Sequence, residues 1–130
     1  MSVLLVLLGG AIGAPVRYLT DLYVREWTLR QARDGARVDF PWGTMAVNAV
    51  GSLVLGLLAG AAAGGVLPGW VLTLAGTGFC GALTTFSTFS YETVRLAENG
   101  QWRSAALNVA GSLAVGLAAV GAGWAVGSTL

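Results

Sequence analysis

Histidine and lysine are absent from this chain of 130 residues, and cysteine occurs once, at Cys80. With no histidine and one thiol, a zinc or haem site has almost nothing to bind through. No Cys–His pair and no carboxylate dyad is present, so an enzyme is not expected. A single cysteine forms no internal disulfide and leaves the redox compartment unmarked. Charge is also scarce. Only 10% of the residues carry it, against roughly a quarter in soluble domains. The net charge of +1 gives no basic face for nucleic acid.

What fills the chain instead is apolar: 55% of the residues are hydrophobic. They fall into four runs, at about residues 3–23, 42–63, 70–94 and 104–127. Each is close to the roughly 20 residues needed to cross a bilayer core. Residues 1–13 lack a basic leader and an A-x-A-like cleavage site. They are read as the first half of a retained spanning helix rather than a cleaved signal. Four spanning helices use the whole chain, so an all-α membrane protein with a single domain over 1–130 is expected. The connection over 25–39 holds Arg25, Arg30, Arg33 and Arg37 with Glu26, Asp34 and Asp39, and reads as solvated. Trp42 and Trp70 follow prolines at re-entry points and fit interfacial anchors.

Small residues recur at helical spacing. Thr44, Asn48, Ser52, Gly56, Gly60 and Gly64 lie four apart on the second run. Such a ridge suits close backbone contact with a partner, most simply a second copy. Its polar end carries Asn48, a buried amide that needs partners. It either bonds a neighbouring helix or points a donor into a pore. Arg17 and Asp21 are four apart near the end of the first run. Arg17 either snorkels to the headgroups or lines the mouth of an anion path. The fourth run repeats the pattern with Asn108, Ser112 and Gly116, and residues 107–113 (LNVAGSL) resemble residues 47–53 (VNAVGSL).

The most unusual stretch is 78–92, GFCGALTTFSTFSYE. Thr84, Thr85, Ser87, Thr88 and Ser90 crowd five hydroxyls into seven residues, with Phe86 and Phe89 between them. Gly76, Gly78 and Gly81 precede the cluster, and a broken helix is expected over 78–85. Unwound backbone in a bilayer survives only where protein buries it or water lines it. Hydroxyls and aromatic edges at that depth suit a path for something small and polar. From spacing alone, Phe86 and Phe89 fit ordinary core aromatics equally well.

At GFCGALTTFSTFSYE the chain resembles the Fluc (CrcB) family of fluoride channels. GGAIGAPVRY at 9–18 resembles that family's first-helix motif, and PWGTMAVNAVGS at 41–52 its second. Length, helix count and motif order agree along essentially the whole chain. The resemblance implies an antiparallel, dual-topology dimer in the cytoplasmic membrane of a prokaryote, with the third helix broken. It implies passive fluoride export through pores lined by both subunits. Phe86 and Phe89 map to the edge-on pore phenylalanines, and Asn48 to the pore asparagine. Arg17 maps to the vestibule arginine, Glu92 to the third-helix carboxylate, and Ser112 to the polar track. Asn108 stands where some members carry a tyrosine. The carbonyls of Gly81 and Thr84 map to those that hold a central structural sodium ion at the dimer axis. Fluoride is small and strongly hydrated, so dehydrating it takes several close donors. Asn48, Ser87, Thr88 and Ser112 offer them, and phenyl edges add weak electropositive contacts.

The alternative class is a small four-helix, proton-coupled multidrug-type exporter. It needs an intramembrane acid, and residues 3–20 contain none; Glu92 lies near a helix end. A purely structural subunit would leave TTFSTFS and Asn48 without a purpose. Six of the seven arginines lie in the two loops on one side, and the remaining one, Arg17, sits near that same end. The positive-inside rule places those loops in the cytoplasm. Such a bias sits poorly with insertion in both directions, and one-way insertion would need an oppositely oriented paralogue as partner. A topology reporter fused after Leu130 decides between them. Signal from both sides of the membrane fits the homodimer, and signal from one side only contradicts it.

Overall fold

The computed structural model describes residues 1–31 and 40–130. Helix α1 spans Ser2–Gln31 and α2 spans Trp42–Ala63. Residues 69–83 form α3, which opens with an α-turn at Gly69–Val71, widens to a π-helix over Leu72–Cys80 and closes with an α-turn at Gly81–Leu83. Helix α4 spans Phe86–Glu98 and α5 spans Trp102–Gly127. Among the described residues, four stretches are long and apolar enough to cross a membrane: Ser2–Tyr23, Trp42–Ala63, Gly69–Glu98 and Trp102–Gly127. The third comprises α3 and α4.

Helix α1 runs on past the expected end at Tyr23. Residues 22–31 contain neither glycine nor proline and are rich in good helix formers, so nothing stops the helix at the lipid boundary. The expected solvated connection therefore begins as helix, and its part over 32–39 lies outside the described residues. The second helix has the expected bounds.

The third span bends where two residues leave helical geometry. Thr84 has ψ 155°, and Thr85 has φ −146° and ψ 123°. The unwinding is narrower than the expected 78–85. Gly78 and Gly81 stay helical, and the Gly81 N–H donates to the Gly76 carbonyl five residues back. In place of a loose glycine stretch, the chain has a wide helical turn followed by a short extended step. Wide turns of this kind are rare and cluster at functional sites. Helix α4 ends where Gly100 takes a positive φ of 74° and the Gln101 N–H reaches back to the Leu96 carbonyl. Glycine adopts that conformation without a Cβ penalty.

The helices pack through glycine. Helix α2 has its most extensive contact with α5, and α1 with α3. A Cβ at Gly56 would strike the Val120 carbonyl, and one at Gly123 or Gly127 would strike the carbonyls of Leu53 or Leu57. Gly9 and Gly13 meet the carbonyls of Leu74 and Phe79 in the same way. Small residues allow such backbone approach in lipid, where dispersion and polar contacts replace the hydrophobic drive. The glycine end of the α2 ridge is thus used within the chain, against α5, and not as the free face expected for a partner. Among the described residues, the buried apolar side chains are few: Val47, Ala61, Cys80, Leu83, Leu96 and Ala105. Large apolar side chains such as Leu7, Leu107 and Leu117 point outward, as lipid contact requires.

Gly123→Ala places a methyl group against the backbone of α2 and should lower unfolding stability by about 1–3 kcal/mol. A Cβ at Gly121 meets nothing within 4 Å, so Gly121→Ala should be neutral or stabilising by up to about 1 kcal/mol. Unfolding of the purified variants in detergent, followed by circular dichroism, checks both.

Candidate functional site

The bend creates a polar problem at the middle of a spanning segment. Thr84 still donates four residues back to Cys80, but Thr85 leaves the i→i−4 ladder, and an unpaired backbone group costs several kcal/mol in hydrocarbon. Asn48 on α2 answers it with both ends of its amide. The Thr85 N–H donates to Asn48 Oδ1 at 2.8 Å, and Asn48 Nδ2 donates to the Thr85 carbonyl at 3.2 Å. Asn48 is therefore an interhelical bond first, and its second Nδ2 hydrogen is the donor left over.

Thr85 also starts the next helix. Its Oγ1 accepts the Thr88 N–H at 3.3 Å and donates to Thr88 Oγ1 at 3.1 Å, while Ser87 Oγ lies 3.3 Å away. A threonine N-cap is worth about 1 kcal/mol. The Thr84 N–H and hydroxyl both reach the Cys80 carbonyl, at 2.9 and 3.0 Å. Among the described residues, no donor bonds the carbonyls of Gly81 or Thr84.

A cleft of about 560 Å³ opens beside the bend. It brings together Asn48, Gly81, Thr84, Phe86, Phe89 and Ser112, with Ser52, Thr77, Cys80 and glycines of three helices filling in the wall. The rings of Phe86 and Phe89 are 5.7 Å apart and tilted by 41°. Phe86 is 80% exposed, which is unusual for an aromatic ring at mid-span of a folded chain. A second, smaller cavity of about 170 Å³ lies across Thr85 and is lined by Arg17, Tyr18, Asp21, Thr44, Val47 and Thr88 as well. Thr85 lines both cavities and stands between them.

The residues singled out from the sequence thus divide. Asn48, Phe86, Phe89, Ser112, Gly81 and Thr84 share the large cleft; Arg17 and Thr88 share the small cavity. Ser87 is exposed on the first turn of α4 and lines neither. Asn108 lies 1% exposed between α4 and α5, outside both cavities. Its Nδ2 donates to Thr93 Oγ1 at 2.9 Å, and Thr93 Oγ1 donates to the Phe89 carbonyl at 2.7 Å. Thr93 escaped notice in the sequence because a single threonine on a helix has no signature beyond its spacing of four from Phe89. Glu92 accepts from the buried Thr44 hydroxyl at 2.9 Å through Oε1, and its Oε2 is buried without a partner among the described residues. That bond ties α2 to α4 one turn beyond Asn48. Among the described residues, no cluster of three or more His, Cys, Asp or Glu side chains is placed to hold a metal.

Four spanning stretches, a bent third span and a cleft that joins amide, hydroxyl and phenyl groups at that bend define a small multi-pass membrane protein with a polar site at bilayer depth. Comparison with known proteins specifies it further. Residues 4–124 match the family described as CrcB-like protein, Camphor Resistance (CrcB), and the chain belongs to that family. It is 54% identical over 129 residues to a protein of Frankia casuarinae named fluoride-specific ion channel FluC 1, covering 94% of each chain. It is also 54% identical over 123 residues to a Streptomyces avermitilis protein of the same name, covering 95% of this chain and 93% of the relative. A Haloarcula marismortui protein named fluoride-specific ion channel FluC 2 is 45% identical over 119 residues, covering 91% of this chain and 87% of the relative.

Proposed function

We propose that this chain is a fluoride-specific ion channel of the prokaryotic cytoplasmic membrane, which passes fluoride passively outward and lowers its concentration in the cytoplasm. The observation that carries the reading is the cleft at the Thr84–Thr85 step, in a chain whose relatives bear that name along nearly their whole length. Fluoride gives up its hydration only where close donors replace it, and it leaves again only where none holds it too firmly. The remaining Nδ2 hydrogen of Asn48 supplies one donor, and the Ser112 hydroxyl, on turning away from its long 3.5 Å contact with Asn108 Oδ1, a second. The edges of Phe86 and Phe89 supply weak electropositive contacts that solvate the anion without trapping it. Arg17 raises the local anion concentration in the small cavity, where Thr88 adds a hydroxyl, and Ser87 offers another from the exposed first turn of α4.

The pore is completed by a second copy inserted antiparallel. An exposed Phe86 and an open cleft are what one half of a shared pore presents. A structural sodium ion would be held where the two copies meet. The carbonyls of Gly81 and Thr84 suit it, because carbonyl oxygens without donors are the ligands that a hard cation takes. Such an ion would supply positive charge beside the bend, held by these carbonyls.

Fluoride efflux from liposomes holding the purified protein tests the reading. Fluoride should leave at least about 100-fold faster than chloride; equal rates, or no fluoride flux, would overturn it. Phe86→Ile removes a ring edge and keeps the bulk, and should cut fluoride efflux at least about 10-fold with the assembly intact by size-exclusion chromatography.

A further inference from the structure

Two asparagines, in the two similar segments VNAVGSL and LNVAGSL, reach the same stretch of chain from two different helices. Asn48 on α2 bonds the backbone of Thr85. Asn108 on α5 bonds the hydroxyl of Thr93. Between the two attachment points lie Phe86 and Phe89.

We propose that Asn108 is a positioning residue for Phe89, acting through Thr93, and does not itself touch the permeating ion. This rests on the reading of the chain as a fluoride channel. Asn108 lines neither cavity and is 1% exposed. It is held in one orientation. Ser112 Oγ lies 3.5 Å from its Oδ1, and its Nδ2 meets Thr93 Oγ1 at 2.9 Å. The Thr93 oxygen accepts that bond, so its own hydrogen goes to the Phe89 carbonyl at 2.7 Å. Donors therefore run in one direction, from Ser112 in the cleft wall through Asn108 and Thr93 to the backbone of Phe89. A threonine that bonds the carbonyl four residues back bends its helix slightly. Asn108 favours that bond, because with its Nδ2 donating to the Thr93 oxygen the part-buried hydroxyl hydrogen is left unpaired in any direction other than the Phe89 carbonyl. The bend and the rotation of the first turns of α4 are thereby fixed, and with them the direction in which the Phe89 ring presents its edge to the cleft.

The test uses the full-length protein in liposomes, with Phe89 ring-labelled for solid-state NMR and fluoride efflux recorded over a range of fluoride concentrations. Thr93→Val removes the hydroxyl and keeps the shape. It should shift the Phe89 ring resonances and lower efflux at least about 5-fold at sub-saturating fluoride, while Thr93→Ser restores both. The double variant Thr93→Val with Asn108→Leu removes both polar partners together, so it avoids an orphaned buried group and keeps the fold testable. It should match Thr93→Val in both readouts. Unmoved Phe89 resonances in Thr93→Val or in the double variant overturn the proposal. So does an Asn108→Leu loss of efflux that Thr93→Val does not share, because Asn108 would then act on the ion directly. The Phe89 resonances report on positioning whether or not the unsubstituted protein carries fluoride; absence of fluoride efflux from that protein counts against the channel reading instead.

Discussion

Two hydrogen bonds between Asn48 and the backbone of Thr85 make the rest of the site possible. A helix crossing lipid satisfies every backbone group internally, and a two-residue extended step forfeits that. At Thr85 the lost partners are restored by a side chain from another helix, at 2.8 and 3.2 Å. The step then becomes a stable feature of the fold. It ends one helix, leaves the carbonyls of Gly81 and Thr84 without donors among the described residues, starts α4 with a capped turn and turns Phe86 and Phe89 into the cleft.

Asn48 reaches Thr85 only because the helices lie close together, and that closeness comes from glycine. Gly51, one turn beyond Asn48 on α2, faces the Thr84 side chain, and a Cβ there would collide with it. Gly56 and Gly60 on α2, with Gly123 and Gly127 on α5, bring those two backbones together. Gly9 and Gly13 do the same for α1 and α3. Among the described residues few large side chains are buried, so these helices are held by backbone proximity and a small number of polar links. Among the described residues, these links converge on α4: Asn48 at its start, Thr44 to Glu92 along its length, and Asn108 to Thr93 one residue further on.

Much of this was legible beforehand. Helix α2 is bounded by Pro41 and by Gly64-Gly65, and its limits follow from those residues. The four apolar runs and the out-of-place hydroxyls of TTFSTFS were visible from composition and spacing alone. Asn48 announced itself as an amide that must find partners, but a sequence does not say which ones, because Thr85 is 37 residues away. Helix α1 overran its apolar stretch because hydropathy marks where lipid ends and not where helical propensity ends. The glycines before the cluster suggested unwinding across 78–85, yet they serve close packing: Gly78 meets Val6 and Gly9. The extended geometry falls on two threonines instead, β-branched residues at ease in extended backbone. Ser112 and Asn108 looked alike as members of one polar ridge, and only the packing of α5 against α4 separates a cleft-lining hydroxyl from a buried amide.

The central claim is that the Asn48–Thr85 pairing organises a fluoride path, and Asn48→Asp tests it most directly. The carboxylate keeps an acceptor for the Thr85 N–H, loses the donor to the Thr85 carbonyl, and removes the hydrogen left to meet an anion. It also adds negative charge at the cleft wall. Fluoride efflux from liposomes should fall at least about 100-fold, with the protein still eluting as the same assembly. Efflux within about twofold of the unsubstituted protein would contradict the claim.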